Sequence, residues 1–224
     1  MLSRFYKTLT PLLLCLMAFP LWAGDGVASS GLLTDKEFFR LATCGAAPGD
    51  ACQGPKVRWP KGRVTIGVAE PEPGYPPKLA KRVSKALDAA IAEVNGAGSA
   101  LKLRRNDTLR EPDILISLPT LSEGELTRDI PRMPDGESIG VGFMWLYWDD
   151  RQRVTEAALL ISQNIETGDL TSVMLEEVFQ CLGFLYDIEN PAYEGVSILA
   201  QDSNSTTTIS GQDRAILRML YPVN

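Results

Sequence analysis

Alternating apolar and polar positions first indicate a strand at Arg63–Val68, a run rich in β-branched residues. Apolar residues then recur at helical spacing from Leu79 to Val94, and Asn95-Gly96 supplies a stop signal. This pattern predicts a helix of about four turns. A shorter helix is expected ahead of the strand, at Leu33–Leu41.

Four further strands are predicted in the middle of the chain. Three of them are short apolar runs, at Leu101–Arg105, Asp113–Leu118 and Ala157–Ser162. Ser138–Trp148 is longer and has apolar residues at both alternating sets of positions, which is typical of a strand covered on at least one face. The strands and the long helix together predict an α/β domain with about five strands.

Two helices are expected after the last strand. The first runs from about Asp169 to Leu182, and the second begins near Ser210, where Ser210 and Asp213 stand at the spacing of a capping box. In the first of these helices, Glu176, Glu177 and Gln180 lie opposite an apolar side. The simplest interpretation of these three residues is the solvated face of an amphipathic helix.

The first 23 residues have the pattern of a secretory signal peptide. Arg4 and Lys7 precede an apolar run at Leu12–Leu21, which is too short for a convincing membrane span. We therefore expect an exported protein, periplasmic or secreted, with no membrane span in the mature chain. Residues 24–58 are interpreted as an N-terminal appendage and residues 59–224 as the main domain.

The cysteine positions agree with export to an oxidising compartment. Cys44 and Cys52 are eight residues apart in a stretch rich in Gly, Ala and Pro, which makes them the natural disulfide pair. Cys15 leaves with the signal peptide, and Cys181 lies in an apolar helical segment, where a buried thiol is expected.

Charge and composition exclude several classes of function. The net charge is −6, and it becomes −8 without residues 1–23, so nucleic acid is not expected as a partner. The chain contains no histidine. Zinc bound by three imidazoles is therefore excluded, as are serine and cysteine catalytic sites that depend on histidine. No cofactor is expected.

The segment Glu176–Asp187 nevertheless resembles the active-site motif of the metzincin zinc peptidases, H-E-x-x-H-x-x-G-x-x-H-D. This chain has E-E-x-x-Q-x-x-G-x-x-Y-D at those positions. The family's general-base glutamate, its glycine and its aspartate correspond to Glu177, Gly183 and Asp187. The three zinc-binding histidines are replaced by Glu176, Gln180 and Tyr186.

The resemblance extends to roughly residues 60–221. Val196–Leu199 falls where metzincins have a tight turn with a methionine, here replaced by Leu199, and Ile209–Tyr221 is similar to their closing Leu-Ser-x-x-Asp helix. It implies a metzincin-like α/β fold, in which a twisted mixed sheet of about five strands is followed by a small helical C-terminal subdomain, and a substrate cleft bordered by Ala157–Ser162. The E-E-x-x-Q-x-x-G form is also similar to a family of secreted bacterial domains of unknown function.

Three hypotheses about function follow from the resemblance. The first is a metallopeptidase-like domain that lacks zinc chemistry and binds a peptide or protein in the residual cleft. The second is an active hydrolase, either with a hard cation held by Glu176, Gln180 and Tyr186 or Asp187, or with an acid–base pair of Glu176 and Glu177 centred on Glu177. The third is a purely structural component of the cell envelope.

Overall fold

The computed structural model describes residues 26–108, 111–202 and 205–223 of the chain. The expected signal peptide at residues 1–23, with Cys15, lies outside the described residues. Within those ranges, no helix is long and apolar enough to cross a membrane. The elements in chain order are β1 (Val27–Ala28), α1 (Asp35–Cys44), β2 (Arg63–Val68), α2 (Pro77–Gly96), β3 (Lys102–Arg105), β4 (Ile114–Ser117), β5 (Gly142–Trp148), β6 (Val154–Ile161), α3 (Leu170–Gln180), β7 (Ile188–Glu189), a short 3-10 helix (Pro191–Tyr193) and α4 (Gly211–Leu220).

The predicted α/β class with a mixed sheet of five strands is confirmed. The strand order is β3-β2-β4-β6-β5, in which β5 is antiparallel to β6 and the other pairs are parallel. The resemblance places Ala157–Ser162 at the border of a cleft; nearly all of this segment lies in β6, which is an inner strand of the sheet. The edge on that side of the sheet is β5, which begins at Gly142 rather than at Ser138, since Ser138 bridges to Leu126 instead.

Alternating residues of β6 contribute to two separate hydrophobic clusters. Ala157, Leu159 and Ile161 belong to the main core, which also contains the buried faces of α2 and α3. Ala158 and Leu160 face the other side of the sheet, where they pack with residues of the long connection between β4 and β5, such as Ile130 and Met133. Burial on both faces explains why the sequence of β6 is a nearly continuous run of apolar residues.

The N-terminal segment packs into the same main core as the sheet. Phe38 and Leu41 of α1 are completely buried in that core, and α1 contacts α4. The predicted disulfide between Cys44 and Cys52 is confirmed, and Cys181 is a free, buried thiol as expected. The disulfide thus closes the loop that follows α1.

The two edges of the sheet differ in how they are protected. At the β3 edge, the Asn95 side chain accepts from the Leu103 N–H at 2.8 Å and donates to the Leu103 carbonyl at 2.9 Å. It occupies the hydrogen-bonding position of a neighbouring strand, and the exposed Lys102 and Arg104 add charge to this edge. Among the described residues, β5 has no strand on its outer side. One edge is closed and the other is open.

Replacing Asn95 tests the closure of the β3 edge. Asn95→Ala removes both hydrogen bonds to the buried Leu103 backbone, so we expect the free energy of unfolding in urea to fall by about 1–3 kcal/mol. Lys85→Ala is the control, at an exposed position of α2, the helix that contains Asn95. It should change the free energy of unfolding by less than about 0.5 kcal/mol. Equal effects of the two substitutions would contradict the role given to Asn95.

Candidate functional site

The polar residues of α3 are more deeply buried than their spacing predicts. Glu177 is 8% exposed and Gln180 is 5% exposed, whereas Glu176 is half-buried. The solvated-face interpretation is therefore wrong for Glu177 and Gln180. The physical reason is that α3 contacts both α2 and β5, so that most of its circumference is covered. Buried polar groups of this kind require partners.

Glu177, Gln180 and Asp187 form a group that we call the Glu177 cluster. The Gln180 amide Nε2 donates to Asp187 Oδ1 at 2.7 Å. Burial and, to a smaller extent, the charge of the nearby Asp187 raise the pKa of Glu177 to about 8. Burial also raises the pKa of Asp187 to about 6, against the lowering effect of the Gln180 hydrogen bond. Of the two carboxyls Glu177 has the higher pKa, so at neutral pH protonation is favoured at Glu177 over Asp187.

The carboxyl group that interacts with Glu177 was only partly anticipated from the motif. Glu176 and Glu177 are adjacent on a helix and point in directions about 100° apart, so they do not form an acid–base pair. Asp187 approaches from beyond the end of α3 and supplies the second carboxyl. Its position after Gly183 and Tyr186 in the metzincin-like motif was the sequence signal for it.

Glu177 also lies directly against the open edge strand. A Cβ atom placed on Gly142 would be 2.5 Å from Glu177 Oε1 and 2.7 Å from a methyl carbon of Val173. Only glycine leaves room for this approach of the helix to the strand. The protonated carboxyl group therefore sits at the first residue of β5, where the edge of the sheet is unpaired.

Tyr186 faces the N-terminal segment. A Cβ atom on Gly45, which has a φ of +68°, would be 2.6 Å from the Tyr186 ring, and the Tyr186 N–H donates to the Ala42 carbonyl at 3.3 Å. The Tyr186 hydroxyl is buried and has no hydrogen-bond partner among the described residues. The loop closed by Cys44 and Cys52 thus covers the position that corresponds to the third histidine of the metzincin motif.

The residues at the ligand-equivalent positions do not fit the zinc ion that the metzincin resemblance implies. None is an imidazole, and the Gln180 amide is already hydrogen-bonded to Asp187. Among the residues that the structure describes, no group of three or more His, Cys, Asp and Glu side chains is arranged to hold a metal ion. The arrangement instead brings together two buried carboxyl groups, those of Glu177 and Asp187. The Gln180 amide orients Asp187 through its hydrogen bond.

The turn after α3 is fixed by groups from distant parts of the chain. The indole N–H of Trp59 donates to the Cys181 carbonyl at 2.9 Å. The Tyr221 hydroxyl donates to the Leu182 carbonyl at 2.6 Å and accepts from the Trp59 backbone N–H at 3.0 Å. Gly183 has a φ of +108° and lies against the Val57 carbonyl, where a larger residue has no space. These contacts direct the chain back, so that Asp187 reaches Gln180.

The closing segment contains a polar network that differs from the predicted capping box. Ser210 makes no side-chain cap bond to α4. Asp213 is instead buried and accepts from the Ser197 hydroxyl at 2.7 Å and from the Ile198 N–H at 3.1 Å. Burial raises the pKa of Asp213 to about 6. Asp213 thus fixes the turn that includes Leu199, and the capping-box prediction is wrong because this long-range partner competes for its carboxylate.

Comparisons with known proteins add no family to this description. No protein-family model matches the chain, and no curated protein matches its sequence. The metzincin resemblance therefore rests on the short motifs at Glu176–Asp187 and Ile209–Tyr221.

The raised pKa of Glu177 predicts a specific dependence of stability on pH. The folded protein holds this proton up to about pH 8, whereas the ordinary pKa of the group is 4.5. The contribution of this proton to the free energy of unfolding is fully present below pH 4.5, the ordinary pKa of the group. It is lost as the pH rises through about 8, the pKa in the folded protein. At pH 8 we expect Glu177→Gln to be more stable than the wild type, by a difference on the order of a few kcal/mol.

The measurement is urea unfolding of both proteins across this pH range. At pH 4.5 the two proteins should differ far less than at pH 8, because the wild-type carboxyl is then neutral in the folded state, like the amide. Glu166→Gln, at an exposed position before α3, is the matched control and should show no such gain. A Glu177→Gln variant with the same pH profile as the wild type would contradict the assignment of the proton.

Proposed function

We propose that this chain is an exported domain on a metzincin-like scaffold that binds an extended peptide along β5 and does not use zinc chemistry. The observation that supports this most strongly is the open edge of β5 beside the buried Glu177 carboxyl. An unpaired strand edge presents main-chain donors and acceptors to an incoming extended chain. The replacement of all three metzincin histidines supports the absence of zinc-dependent cleavage.

The register of β5 and β6 defines which backbone groups are offered. The Ser162 N–H donates to the Val141 carbonyl at 2.9 Å, just before Gly142 pairs with Ile161. Because bonding alternates along an antiparallel pair, Phe143 and Trp145 bond to β6. The backbone groups of Gly142, Met144 and Leu146 therefore point away from the sheet. We call these three residues the β5 edge.

The protonated Glu177 adds a hydrogen-bond donor at one end of the β5 edge. A neutral carboxylic acid can donate to a peptide carbonyl, which an ionised carboxylate cannot do. Its pKa of about 8 keeps the donor present at neutral pH. We therefore expect a bound peptide to have a backbone carbonyl near Gly142, and binding to weaken as the pH rises above the pKa of Glu177.

Binding at the β5 edge is tested with short peptides selected from a random library against the purified mature protein. Amide hydrogen exchange should slow at Gly142, Met144 and Leu146 when the selected peptide is added, and should not change at Leu103 and Arg105, whose N–H groups face the outer side of β3. In an extended peptide, every second residue would direct its N–H toward β5. N-methylation of these residues should abolish binding, whereas a peptide with N-methyl groups on the intervening residues should still bind. Protection elsewhere, or failure to select any peptide, would contradict the proposal.

A second candidate function is an acid–base hydrolase without histidine. The observation that favours it is the pair of buried carboxyls with pKa values of about 8 and about 6, a range suited to a general acid and a general base near neutral pH. Glu177 would hold the proton and Asp187 would accept one, with Gln180 orienting Asp187.

The two candidates separate in one assay. Turnover of a broad peptide library, measured together with the metal content of the protein, should be absent in the wild type if the domain only binds peptides. Turnover that is lost in both Glu177→Gln and Asp187→Asn, but not in Glu166→Gln, would establish the hydrolase instead. Turnover that none of these variants changes would assign the activity to a contaminant and leave peptide binding as the function.

A further inference from the structure

Charge is unevenly distributed along this chain. Residues 154–213 contain ten Asp and Glu residues and no Lys or Arg, whereas residues 24–153 contain eighteen acidic and eighteen basic residues. The acidic stretch includes β6, α3 and the connections that follow them. The side of the molecule that holds the Glu177 cluster therefore has no cation from its own segment.

Exposed carboxylates from two connections surround the Gly142 end of β5. A turn in the connection between β4 and β5 is hydrogen-bonded to the end of β6. The Glu123 N–H donates to Asn164 Oδ1 at 3.0 Å, and the Gln163 N–H donates to the Leu121 carbonyl at 2.8 Å. Glu123 is exposed on this turn. Glu166 and Asp169 are exposed in the connection from β6 to α3.

Cations near this end are fewer than the carboxylates. Arg82 of α2 reaches the connection, where it donates to the Thr167 hydroxyl. Arg132 is directed elsewhere, to Glu156 at 3.2 Å and to the Pro112 carbonyl at 2.7 Å. At neutral pH the exposed carboxylates near this end of the β5 edge are Glu123, Glu166 and Asp169, and Asp187, with a pKa of about 6, adds a buried carboxylate to the cluster. Together with Arg82, these groups give this end of the edge a net negative charge.

The opposite edge of the sheet has the opposite charge. Exposed Lys102 and Arg104 lie on β3, and its backbone is closed by Asn95. A positively charged strand is therefore repelled from the β3 edge and attracted to the β5 edge. An acidic strand meets an unfavourable field at the open edge and a closed backbone at the other.

We infer that the partner of the β5 edge is a cationic extended peptide, with Lys or Arg residues flanking the paired segment at its Gly142 end. This inference rests on the proposed binding function and adds the charge of the partner to it. Main-chain pairing supplies the docking, and the exposed carboxylates supply the preference. Because these carboxylates are exposed, their attraction is screened by salt.

The test uses three synthetic peptides that share one alternating Val and Thr core and are flanked by Lys, Gln or Glu. Affinity is measured by fluorescence anisotropy with the full mature protein. At low ionic strength we expect the Lys peptide to bind about tenfold more tightly than the Gln peptide, and the Glu peptide to bind most weakly. The difference should shrink at high salt, where the screening length falls to a few ångströms.

Two matched variants distinguish the effect of the exposed carboxylates near Gly142 from that of the unpaired backbone of β5. Glu123→Gln combined with Glu166→Gln and Asp169→Asn should bring the affinity for the Lys peptide close to that for the Gln peptide, without changing the latter. The control removes three exposed carboxylates from other parts of the chain and should retain the preference; it combines Asp50→Asn, Glu70→Gln and Glu111→Gln. Retention of the preference in the first variant would overturn the inference.

The remaining outcomes distinguish failure of the inference from failure of the proposed function. One outcome is equal affinity for the three peptides together with loss of binding when one set of alternate peptide residues is N-methylated. This outcome would overturn the charge preference but would still support pairing of the peptide with β5. A charge preference that survives N-methylation of either set would show that the peptide does not pair with β5, which overturns both. Self-association of the protein without peptide, seen by sedimentation, would assign the β5 edge to a second copy and likewise overturn both.

Discussion

Burial of α3 is the constraint on which the rest of this structure depends. The helix lies against α2 and against the edge strand β5, so Glu177 and Gln180 leave water although their spacing suits a solvated face. Burying a charged carboxylate without a cation is costly, and residues 154–213 provide no Lys or Arg to pair with it. The pKa of Glu177 rises to about 8 as a result, which favours the protonated group at neutral pH, and the Gln180 amide donates to Asp187.

The same packing links the Glu177 cluster to the open edge of the sheet. Gly142 has no side chain, so Glu177 Oε1 reaches the first residue of β5, while the turn held by Trp59, Tyr221 and Gly183 returns Asp187 to the cluster. A metzincin-like scaffold would use this neighbourhood for zinc chemistry. We propose that this chain instead presents Glu177 as a neutral hydrogen-bond donor beside unpaired backbone groups, an arrangement that suits capture of an extended peptide.

Local patterns in the sequence were sufficient for much of the fold. Arg63–Val68 was predicted with its observed bounds, because β-branched alternation is a strong local signal. The Cys44–Cys52 pair also followed from spacing and composition. The errors involve contacts between distant residues. Asp213 bonds to Ser197 and Ile198 rather than capping α4, and the burial of Glu177 depends on Gly142, which lies 35 positions earlier in the chain.

The most direct test of this account is an NMR titration of the Glu177 side-chain carboxyl carbon in the folded protein. We expect a midpoint at about 8, with a coupled change at Asp187, because burial and, to a smaller extent, the charge of Asp187 oppose ionisation of Glu177. Glu177→Gln should remove the high midpoint and identify its source. A Glu177 midpoint near the ordinary value of 4.5 would mean that the carboxyl is ionised and solvated at neutral pH, and would contradict the account.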